Sequence, residues 1–343
     1  ASMNFGSVLT SQAVGALLAH SLHVQSGANG TSYRIAKGTV LTNEHIKDLL
    51  ADQQTDIVVA RLEDGDVEEN EAATLLAAAV VPDAAQFGLR ISAAGAGRVN
   101  LYAINAGVVE IDEAAVMAIN AVDPMITMAT VPQFHRTDSN GMIATIKIIA
   151  YSVPQSSLSQ AASVAANAIR IATLQYRTAT LIETQVGDEM LSFKGRDAMR
   201  GRLDRFGVEL LERTVVPHNE AAITTALSEA EGEFVLLLTA SATSDPMDVG
   251  PQALRQAGGQ VTGFGMPVDP GNLLFFGQLD AKPVIGLPGC ARSPALNGAD
   301  WVLERLLCGI SLSQRDIAAM GVGGLLKEIP TRPQPRARVL PRT

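Results

Sequence analysis

The sequence predicts an α/β protein whose main part is a three-layer α/β/α domain with a mostly parallel sheet. From Thr178 onwards, apolar strands alternate with helix-forming segments. Such alternation is typical of parallel sheets covered by helices on both faces. Before Thr178 the pattern is less regular, and it predicts smaller N-terminal α/β and β-rich modules. A third observation is that Phe234–Gly289 places several turn-forming loops at the ends of apolar strands.

Residues 1–86 are predicted to form the small α/β module. Ser11–His20 has helical spacing, and a second helix is capped at Thr42 or Asn43 and runs to Leu50. Asp56–Leu62 is predicted to be a strand. The acidic segment GDVEEN that follows suits the first turn of a further helix, because carboxylates are favourable there.

Residues 87–174 are predicted to form the β-rich module with a connecting helix. RVNLYAINAGVVEID alternates like a pair of strands, and DEAAVMAINAV follows as a helix. MITMATV and GMIATIKIIAYSVP are predicted to be further strands. Ser159–Ala172 is predicted to be a helix that leads out of this module.

Residues 175–312 carry the regular alternation and are predicted to be the ligand-binding domain. Its predicted strands, in order, are TATLIET, VELLERTVV, FVLLLTA, VTGFGM, NLLFFGQL and KPVIGL. Helices are predicted around Gly195–Phe206, Asn219–Glu229 and Pro251–Ala257, and another after PGCARSP. Residues 313–343 are predicted to be a short helix followed by a Pro/Arg-rich tail with the composition of a linker.

Composition restricts the class of protein. The 343 residues are 47% hydrophobic and 18% charged, which is typical of a folded protein with several packed domains. The formal net charge of −9 argues against nucleic acid as a partner, since such binding normally shows as a basic excess. Two cysteines and no basic apolar leader predict a cytoplasmic protein with free thiols. No apolar run approaches the ~20 residues needed to span a bilayer.

Loops at the carboxyl ends of the predicted strands are the candidate binding site, because ligands of open α/β sheets bind there. The first is VGDEM, where Gly187 precedes Asp188 and Glu189. Adjacent carboxylates can hold a divalent cation or a water molecule. The alternative interpretation is a solvated turn with an acidic pair.

The second loop is SATSDPMD, residues 241–248. The hydroxyls of Ser241, Thr243 and Ser244, with backbone amides ahead of the next helix, can bind phosphate. Asp245 and Asp248 could hold a metal ion that bridges to that phosphate. Serine and aspartate are also the preferred helix N-caps, so a purely structural loop is the alternative.

Two Pro-Gly loops complete the candidate site. They are Pro270-Gly271, followed by Asn272, and Pro288-Gly289, followed by Cys290. Glycine permits close approach of the backbone to a ligand, and proline rigidifies the turn. His218, at a strand-to-helix junction on the same predicted edge, is the histidine that merits a test.

These segments resemble the molybdopterin-binding family of molybdenum-cofactor biosynthesis proteins. The family's motifs are a T-G-D-E-like turn, a G-G-x-S loop followed by acidic and proline residues, a P-G loop, and L-P-G before the final helix. Here they read VGDEM, ASATSDPMDVGPQAL, MPVDPGN and GLPGCARSP. The resemblance extends over nearly the whole chain. The chain is also similar to the N-terminal part of fusions to a molybdenum-cofactor nucleotidyltransferase. In such a fusion, the Pro/Arg-rich tail would be the linker.

The resemblance implies that the protein binds molybdopterin, or its nucleotide-activated form, in molybdenum insertion or nucleotide transfer, as a transferase. It implies magnesium held by Asp188, Glu189, Asp245 and Asp248, which would also be the catalytic residues. The cofactor-binding set would be Gly187, Ser241, Thr243, Ser244, Pro270, Gly271, Asn272, Pro288, Gly289 and Cys290. A homodimer is expected, with the nucleotidyltransferase as a fused or separate partner.

The chain departs from the family pattern at three places. Ser241-Ala242 stand where the family has paired glycines. His218-Asn219 stand where members often have an acidic pair. Asn272-Leu273 stand where the molybdenum-insertion proteins commonly have a lysine after the P-G. These departures favour a second hypothesis, a non-catalytic molybdopterin carrier or regulatory module. A third hypothesis is a pyridine-nucleotide or ADP-ribose hydrolase on the same sheet.

Overall fold

The structure is a computed structural model that describes residues 3–28 and 30–328. The chain divides into two compact units. The first comprises Ala1–Ile104, Val109–His135 and Asn140–Ile171, and the second comprises Asn105–Val108, Arg136–Ser139 and the chain from Ala172 onwards. Within the described ranges, no helix is long and apolar enough to cross a membrane.

The first unit begins with a small antiparallel sheet and a short helix. Strand β5 lies between β1 and β2, and β3 pairs with β4. Helix α1 is capped by Thr42, whose hydroxyl accepts from the amide of His45. The bounds are β1 Met3–Leu9, β2 Leu17–Leu18, β3 Leu22–Val24, β4 Tyr33–Ile35, α1 Asn43–Ala51 and β5 Asp56–Leu62.

The rest of the first unit is a four-stranded antiparallel sheet of order β10-β12-β8-β7, with helices packed against a shared apolar core. A separate two-stranded antiparallel sheet is formed by β6 and β13, with three pairs of residues. The elements of this part of the chain, of which β11, the start of β9 and the end of β14 belong to the second unit, are β6 Asp66–Glu68, α2 Glu69–Val80, β7 Leu89–Ile91, β8 Arg98–Ala103, β9 Gly107–Ile111, α3 Glu113–Val122, β10 Ile126–Thr130, β11 Arg136–Thr137, β12 Met142–Ile148, β13 Ser152–Pro154, α4 Gln155–Ser163 and β14 Ile169–Thr173.

In the second unit, the described residues form a seven-stranded sheet of order β16-β15-β18-β21-β20-β19, with β17 also paired to β15. The four pairings of β15 and β18 are parallel, whereas β20 runs antiparallel to both β21 and β19. The elements are β15 Thr178–Gln185, α5 Lys194–Asp204, β16 Glu209–Leu210, β17 Thr214–Pro217, α6 Glu220–Glu229, β18 Phe234–Leu238, α7 Val249–Gln256, β19 Gln260–Phe264, β20 Phe275–Leu279, β21 Lys282–Gly286, α8 Gly298–Leu307 and α9 Gln314–Ala318.

Helices cover both faces of this sheet. Side chains from α6 and α7 share one core with Ile182, Val235 and Phe275. Successive strand residues point to opposite faces, so Leu181 and Leu236 face the other layer, where both are fully buried. Helices α5 and α8 lie on that face. The predicted α/β fold class, with a three-layer domain and a mostly parallel sheet, is therefore confirmed.

Several predicted elements were wrong in detail. Ser11–His20 is not a helix, because Gly15 adopts a positive φ of 80° and the chain turns from a short 3-10 segment into β2. The predicted helix Ser159–Ala172 stops at Ser163 and continues as strand β14. VELLERTVV is interrupted and forms two strands, β16 and β17. The strands of RVNLYAINAGVVEID do not pair with each other but belong to different sheets.

The four-part division of the chain stays a prediction, but the packing bears on one boundary. Helix α2 lies before residue 87, and strands β8 and β12 lie after it, yet their side chains form a single apolar core. The Pro/Arg-rich tail, residues 329–343, lies outside the described residues.

Candidate functional site at the carboxyl edge of the sheet

One row of paired residues crosses the sheet of the second unit and defines its loop-bearing edge. Ile182 pairs with Leu237, which pairs with Gly286, which pairs with Phe275, which in turn pairs with Phe264. Strands β15, β18 and β21 end just beyond this row. Because β20 is antiparallel to β21, the connection from β19 to β20 returns to the same edge. The four predicted loops, 186–193, 239–248, 265–274 and 287–297, therefore meet at one edge.

The acidic loop after β15 is exposed, and Gly187 has a positive φ of 74° with open space around its Cα. Asp188 and Glu189 are both exposed, and neither forms an ion pair with another of the described residues. Two apolar side chains beside them are also open to solvent, since Val186 is 71% and Met190 is 91% exposed. Neither acidic side chain is held in a fixed position by a neighbouring group.

The base of this loop is held by an ion pair that reaches into the sheet. Glu183, 3% exposed in β15, receives Arg213 Nε at 2.7 Å and a second guanidinium nitrogen at 3.3 Å. The same guanidinium donates to the carbonyls of Ser192, at 2.9 Å, and Leu191, at 3.4 Å, and lies 4.3 Å over the ring of Phe193. Arg213 thus links the buried strand to the segment that follows Asp188 and Glu189.

A second guanidinium beside this pair is incompletely satisfied. Arg196, 4% exposed in α5, donates one nitrogen to the carbonyl of Leu211 at 2.5 Å. Its other terminal nitrogen is buried and has no hydrogen-bond partner within the described residues. Burial lowers the pKa of Arg196, and the nearby charges of Arg200 and Arg213 add to that effect. The guanidinium groups of Arg196 and Arg213 therefore both lie near the single carboxylate of Glu183.

The carboxylates of the second loop mainly bind their own backbone. Asp248 is the N-cap of α7, with Oδ1 accepting from the amide of Val249 at 2.8 Å and Oδ2 from Ser244 at 3.2 Å. Asp245 accepts from the amide of Met247 at 2.7 Å. Among the predicted phosphate ligands, Ser241 and Ser244 are exposed, whereas Thr243 is only 6% exposed. The structural interpretation of this loop is therefore favoured for both aspartates.

A buried hydroxyl joins the ends of three strands at this edge. Thr184 Oγ1, in β15, accepts from the amide of Ala240 at 2.8 Å and lies 2.9 Å from Nδ1 of His218. His218 follows β17, and its own amide donates to the carbonyl of Gln185 at 2.9 Å. The structure thus places His218 among the loops of the candidate site.

The Pro-Gly loop after β19 packs against a helix instead of standing open. Gly271 has φ +132°, and a Cβ there would lie 2.7 Å from the amide nitrogen of Gly298, at the start of α8. That amide donates to the carbonyl of Pro270 at 2.8 Å, and the peptide bond from Asp269 to Pro270 is cis. Asn272, which is exposed, donates through its side chain to the carbonyl of Met266. The loop therefore covers the N-terminus of α8.

The last loop is held by two arginines. Arg292 donates to the carbonyl of Thr239 at 2.6 Å, which connects this loop to the one after β18. Arg202 of α5 pairs with Asp300 of α8 at 2.6 Å and also donates to three loop carbonyls, those of Ala291, Ser293 and Ala295. Pro288 is buried, whereas Gly289 is exposed, and so is Cys290, whose sulfur accepts from Asn297.

Magnesium finds no support in this arrangement. Over residues 3–28 and 30–328, no group of three or more His, Cys, Asp or Glu side chains is placed to hold a metal ion. Asp188, Glu189, Asp245 and Asp248 therefore do not converge as a cluster of that size. The residues present do not fit a magnesium site built from those four carboxylates.

A cavity of about 650 Å³ lies beside the edge strand β17 and helix α6. Arg213 and Pro217 line it, together with the acidic side chains of Glu212, Glu229 and Glu231. None of the predicted site residues does. Its acidic rim is unsuited to an anionic ligand, so the loops at the sheet edge remain the better candidate site.

Comparison with known families agrees with this placement. Residues 185–307 match the model of the family described as "Probable molybdopterin binding domain". This segment is similar to the molybdopterin-binding family. The match begins at the last residue of β15 and ends with α8, so it includes all four loops of the sheet edge. The predicted resemblance is thereby confirmed for this segment.

The molybdopterin-binding-family domain lies within a chain that also matches solved structures over most of its length. One is the molybdopterin biosynthesis MoeA protein from Pyrococcus horikosii, with 13% identity, a TM-score of 0.33, and coverage of 89% of this chain and 75% of that one. Another is a molybdenum cofactor biosynthesis protein from Pyrococcus furiosus, with 12% identity, a TM-score of 0.24, and coverage of 90% and 66%. No curated protein matches the sequence.

Sequence reasoning missed the residues that organise the edge. Glu183, Arg213, Arg196, Arg202 and Thr184 were not singled out. A signal did exist for Glu183, because a carboxylate inside the otherwise apolar strand TATLIETQ must be paired if that strand is central. The partner, thirty positions away, could not be identified without the strand order.

Proposed function

We propose that this protein binds molybdopterin, or its nucleotide-activated form, at the carboxyl edge of the seven-stranded sheet during molybdenum-cofactor biosynthesis. The observation that carries the proposal is that the family match, residues 185–307, contains all four loops that meet at this edge. Strand ends and exposed backbone amides at such an edge suit a small anionic ligand. Arg196 and Arg213 lie close to Glu183 near the acidic loop and together carry one positive charge more than that carboxylate.

We infer roles for the loop residues from their exposure. Ser241 and Ser244 are open to solvent and would donate hydroxyl hydrogen bonds to a phosphate, while buried Thr243 would support that loop. Asp188 and Glu189 would polarise water or contact the ligand directly. Gly187, Gly289 and Cys290 are exposed and would line the ligand pocket, and Pro270, Gly271, Asn272 and Pro288 would shape it.

The non-catalytic carrier is favoured over the transferase by a specific observation. Asp245 and Asp248, proposed as catalytic and metal-binding residues, accept hydrogen bonds from backbone amides of their own loop. The carboxylates are also not clustered for a metal ion in the described part of the chain. If a transferase step occurs, Asp188 and Glu189 are the carboxylates free to take part in it.

Titration of the purified protein with molybdopterin tests the proposal. We expect binding with a dissociation constant in the micromolar range, and no binding at tens of micromolar would contradict it. Turnover of adenylylated molybdopterin, with magnesium and molybdate present, separates the transferase from the carrier. A carrier binds without turnover. Asp188→Asn with Glu189→Gln should abolish turnover if these carboxylates are catalytic, whereas Glu229→Gln, remote on α6, is the matched control.

We further propose that the protein is a cytoplasmic homodimer and that a nucleotidyltransferase domain acts with it. The proposal is supported by the resemblance of the chain to the family and by the linker-like composition of residues 329–343. Sedimentation velocity at micromolar concentration should give twice the chain mass of 36.0 kDa. A species of 36.0 kDa would reject the homodimer.

A further inference from the structure

The contact between Thr184 and His218 determines which nitrogen of the imidazole carries the proton. Thr184 is 1% exposed, and its hydroxyl has two partners, the amide of Ala240 at 2.8 Å and His218 Nδ1 at 2.9 Å. A threonine hydroxyl has one proton to donate and lone pairs to accept with. The amide of Ala240 can only donate, so the Thr184 oxygen accepts this hydrogen bond with a lone pair. The hydroxyl proton is left for Nδ1.

The opposite proton arrangement would leave a buried donor unsatisfied. If Nδ1 of a neutral His218 carried the proton, both partners of Thr184 Oγ1 would be donors. The hydroxyl proton would then have no acceptor in a position closed to water, and a buried unmade hydrogen bond is unfavourable. The neutral imidazole of His218 is therefore the tautomer with its proton on Nε2, and Nδ1 accepts from Thr184.

Nε2 is the free end of this chain of hydrogen bonds. It lies on the far side of the ring from the Thr184 contact, and it has no hydrogen-bond partner within the described residues. The side chain of His218 is half-buried. The backbone amide of His218, directly after β17, donates to the carbonyl of Gln185, one residue before the acidic loop. The hydroxyl of Thr184 also accepts from the amide of Ala240, at the start of the loop that contains Ser241 and Ser244.

We propose that His218 is a ligand-contacting residue that donates Nε2–H to an anionic oxygen of a bound phosphate-class ligand, and that Thr184 is the residue that positions it. This inference deepens the proposed function and rests on it for the identity of the ligand. The site it adds is specific to this chain, because a hydrogen-bond donor stands where carboxylates would repel a phosphate. The first turn of α6 follows directly, with Asn219 as its N-cap.

The tautomer is tested in the ligand-free protein by long-range proton–nitrogen NMR of nitrogen-15-labelled histidine. The chain has five histidines, and loss of one signal in His218→Gln assigns the relevant ring. For the neutral imidazole of His218, we expect the pattern of the Nε2–H tautomer. Thr184→Val should convert it to a mixture of tautomers, and Thr184→Ser should restore it. A pure Nδ1–H pattern in the unmodified protein would overturn the proposal.

Ligand contact is tested with two probes, inorganic phosphate and molybdopterin. Each should shift the His218 signal in a saturable way and leave His23, an exposed histidine of β3, unmoved. His218→Phe should weaken phosphate and molybdopterin binding about tenfold, a factor expected for one hydrogen bond to a charged group. His218→Gln, which keeps a donor, should lose less, and His23→Phe should lose nothing.

The outcomes separate this inference from the function on which it rests. Phosphate binding at His218 without any molybdopterin binding would reject molybdopterin as the ligand but keep the anion contact. Molybdopterin binding that leaves the His218 signal unmoved, or that is equally tight in His218→Phe, would overturn the inference and keep the proposed function. Equal shifts at all histidine signals on adding phosphate would also overturn it.

Discussion

At the residue scale, Asp248 is engaged by two backbone amides, one at the first turn of α7 and one in the loop before it. Both contacts use the carboxylate oxygens that a metal ion would require. An N-cap side chain typically contributes about 1 kcal/mol to stability. Asparagine keeps one oxygen that can accept from one of these amides but loses the other acceptor, whereas alanine loses both.

We therefore expect Asp248→Ala to lower the free energy of unfolding by about 1 kcal/mol and Asp248→Asn, which keeps one acceptor, to lower it by less. Neither substitution should alter molybdopterin affinity, with or without magnesium. Urea unfolding followed by the fluorescence of Trp301, the only tryptophan of the chain, measures the first effect, and ligand titration measures the second. A tenfold loss of affinity in Asp248→Asn, together with loss of any magnesium dependence, would show that this aspartate holds a metal ion.

Gly271 illustrates a glycine whose role is packing. Its φ of +132° is unfavourable for other residues, and the nearest atoms to an added Cβ belong to the backbone of Gly298. Backbone atoms at the start of a helix cannot move aside without disturbing α8. The same contact positions the carbonyl of Pro270 as the acceptor for Gly298.

Gly271→Ala should destabilise the second unit by at least about 2 kcal/mol, since strain at positive φ adds to a steric clash. Gly187→Ala is the matched control. Its φ is also positive, but no atom lies within 4 Å of the added Cβ, so only the conformational cost of about 1 kcal/mol applies. Equal losses in the two variants would contradict the packing role. Chemical unfolding of both proteins decides between these results.

At the scale of elements, Arg213 joins a buried strand to the loop that carries Asp188 and Glu189. Its partner Glu183 is fixed in β15, and two carbonyls of the loop accept from the same guanidinium. Loop position therefore depends on an arginine that belongs to neither the strand nor the loop. Burial of the carboxylate makes the pair costly to break by removing one member.

Arg213→Met should free residues 187–193, because methionine keeps much of the apolar stem and none of the donors. We expect amide hydrogen exchange in that segment to become at least tenfold faster, and the global free energy of unfolding to fall by roughly 3 kcal/mol. Arg200→Met on α5 is the control. That arginine is exposed, and its substitution removes only an ion pair of 3.7 Å with Asp197. Unchanged exchange in the loop of Arg213→Met would refute this role.

At the scale of the whole molecule, one partly buried carboxyl couples stability to pH. Burial, with the nearby charge of Asp300, raises the pKa of Glu304 to about 8 from an ordinary 4.5, although Arg136, Arg205 and Arg305 oppose the shift. Between these two values the folded protein holds a proton that the unfolded chain has lost. The contribution to stability is therefore full below pH 4.5 and is lost as the pH rises towards 8.

Glu304→Gln should remove this dependence, because the amide imitates the protonated acid at every pH. From pH 5 to pH 8, the unmodified protein should lose stability relative to this variant by up to about 1.4 kcal/mol per pH unit. Unfolding curves at several pH values, followed by the fluorescence of Trp301 on the same helix, give the difference in stability between the two proteins. Glu229→Gln, at an exposed position of α6, should track the unmodified protein. Parallel pH profiles for Glu304→Gln and the unmodified protein would contradict the assignment.

Elements with strong local signals could be predicted from the sequence. Asp56–Leu62 was predicted with its observed bounds, and the helix after Thr42 was predicted with its cap, because periodicity and capping depend on neighbouring residues. The structure of Ser11–His20 could not be predicted in this way. Its helical spacing is real, but the pairing of Leu17 and Leu18 with β5 holds that part of the segment extended instead.

The sequence by itself determined the fold class of the second unit and the position of its loops at one edge. Alternation of apolar strands with helices leaves few ways to pack them, so strand ends follow from element order. Only the tertiary structure decided which side chains meet there. Glu183 with Arg213, and Thr184 with His218, are brought together by the pairing of β15 with β17, and that pairing depends on burial over many residues at once. Contacts between distant residues carry no local signal, which is why the predicted site contained the loops and omitted the residues that hold them.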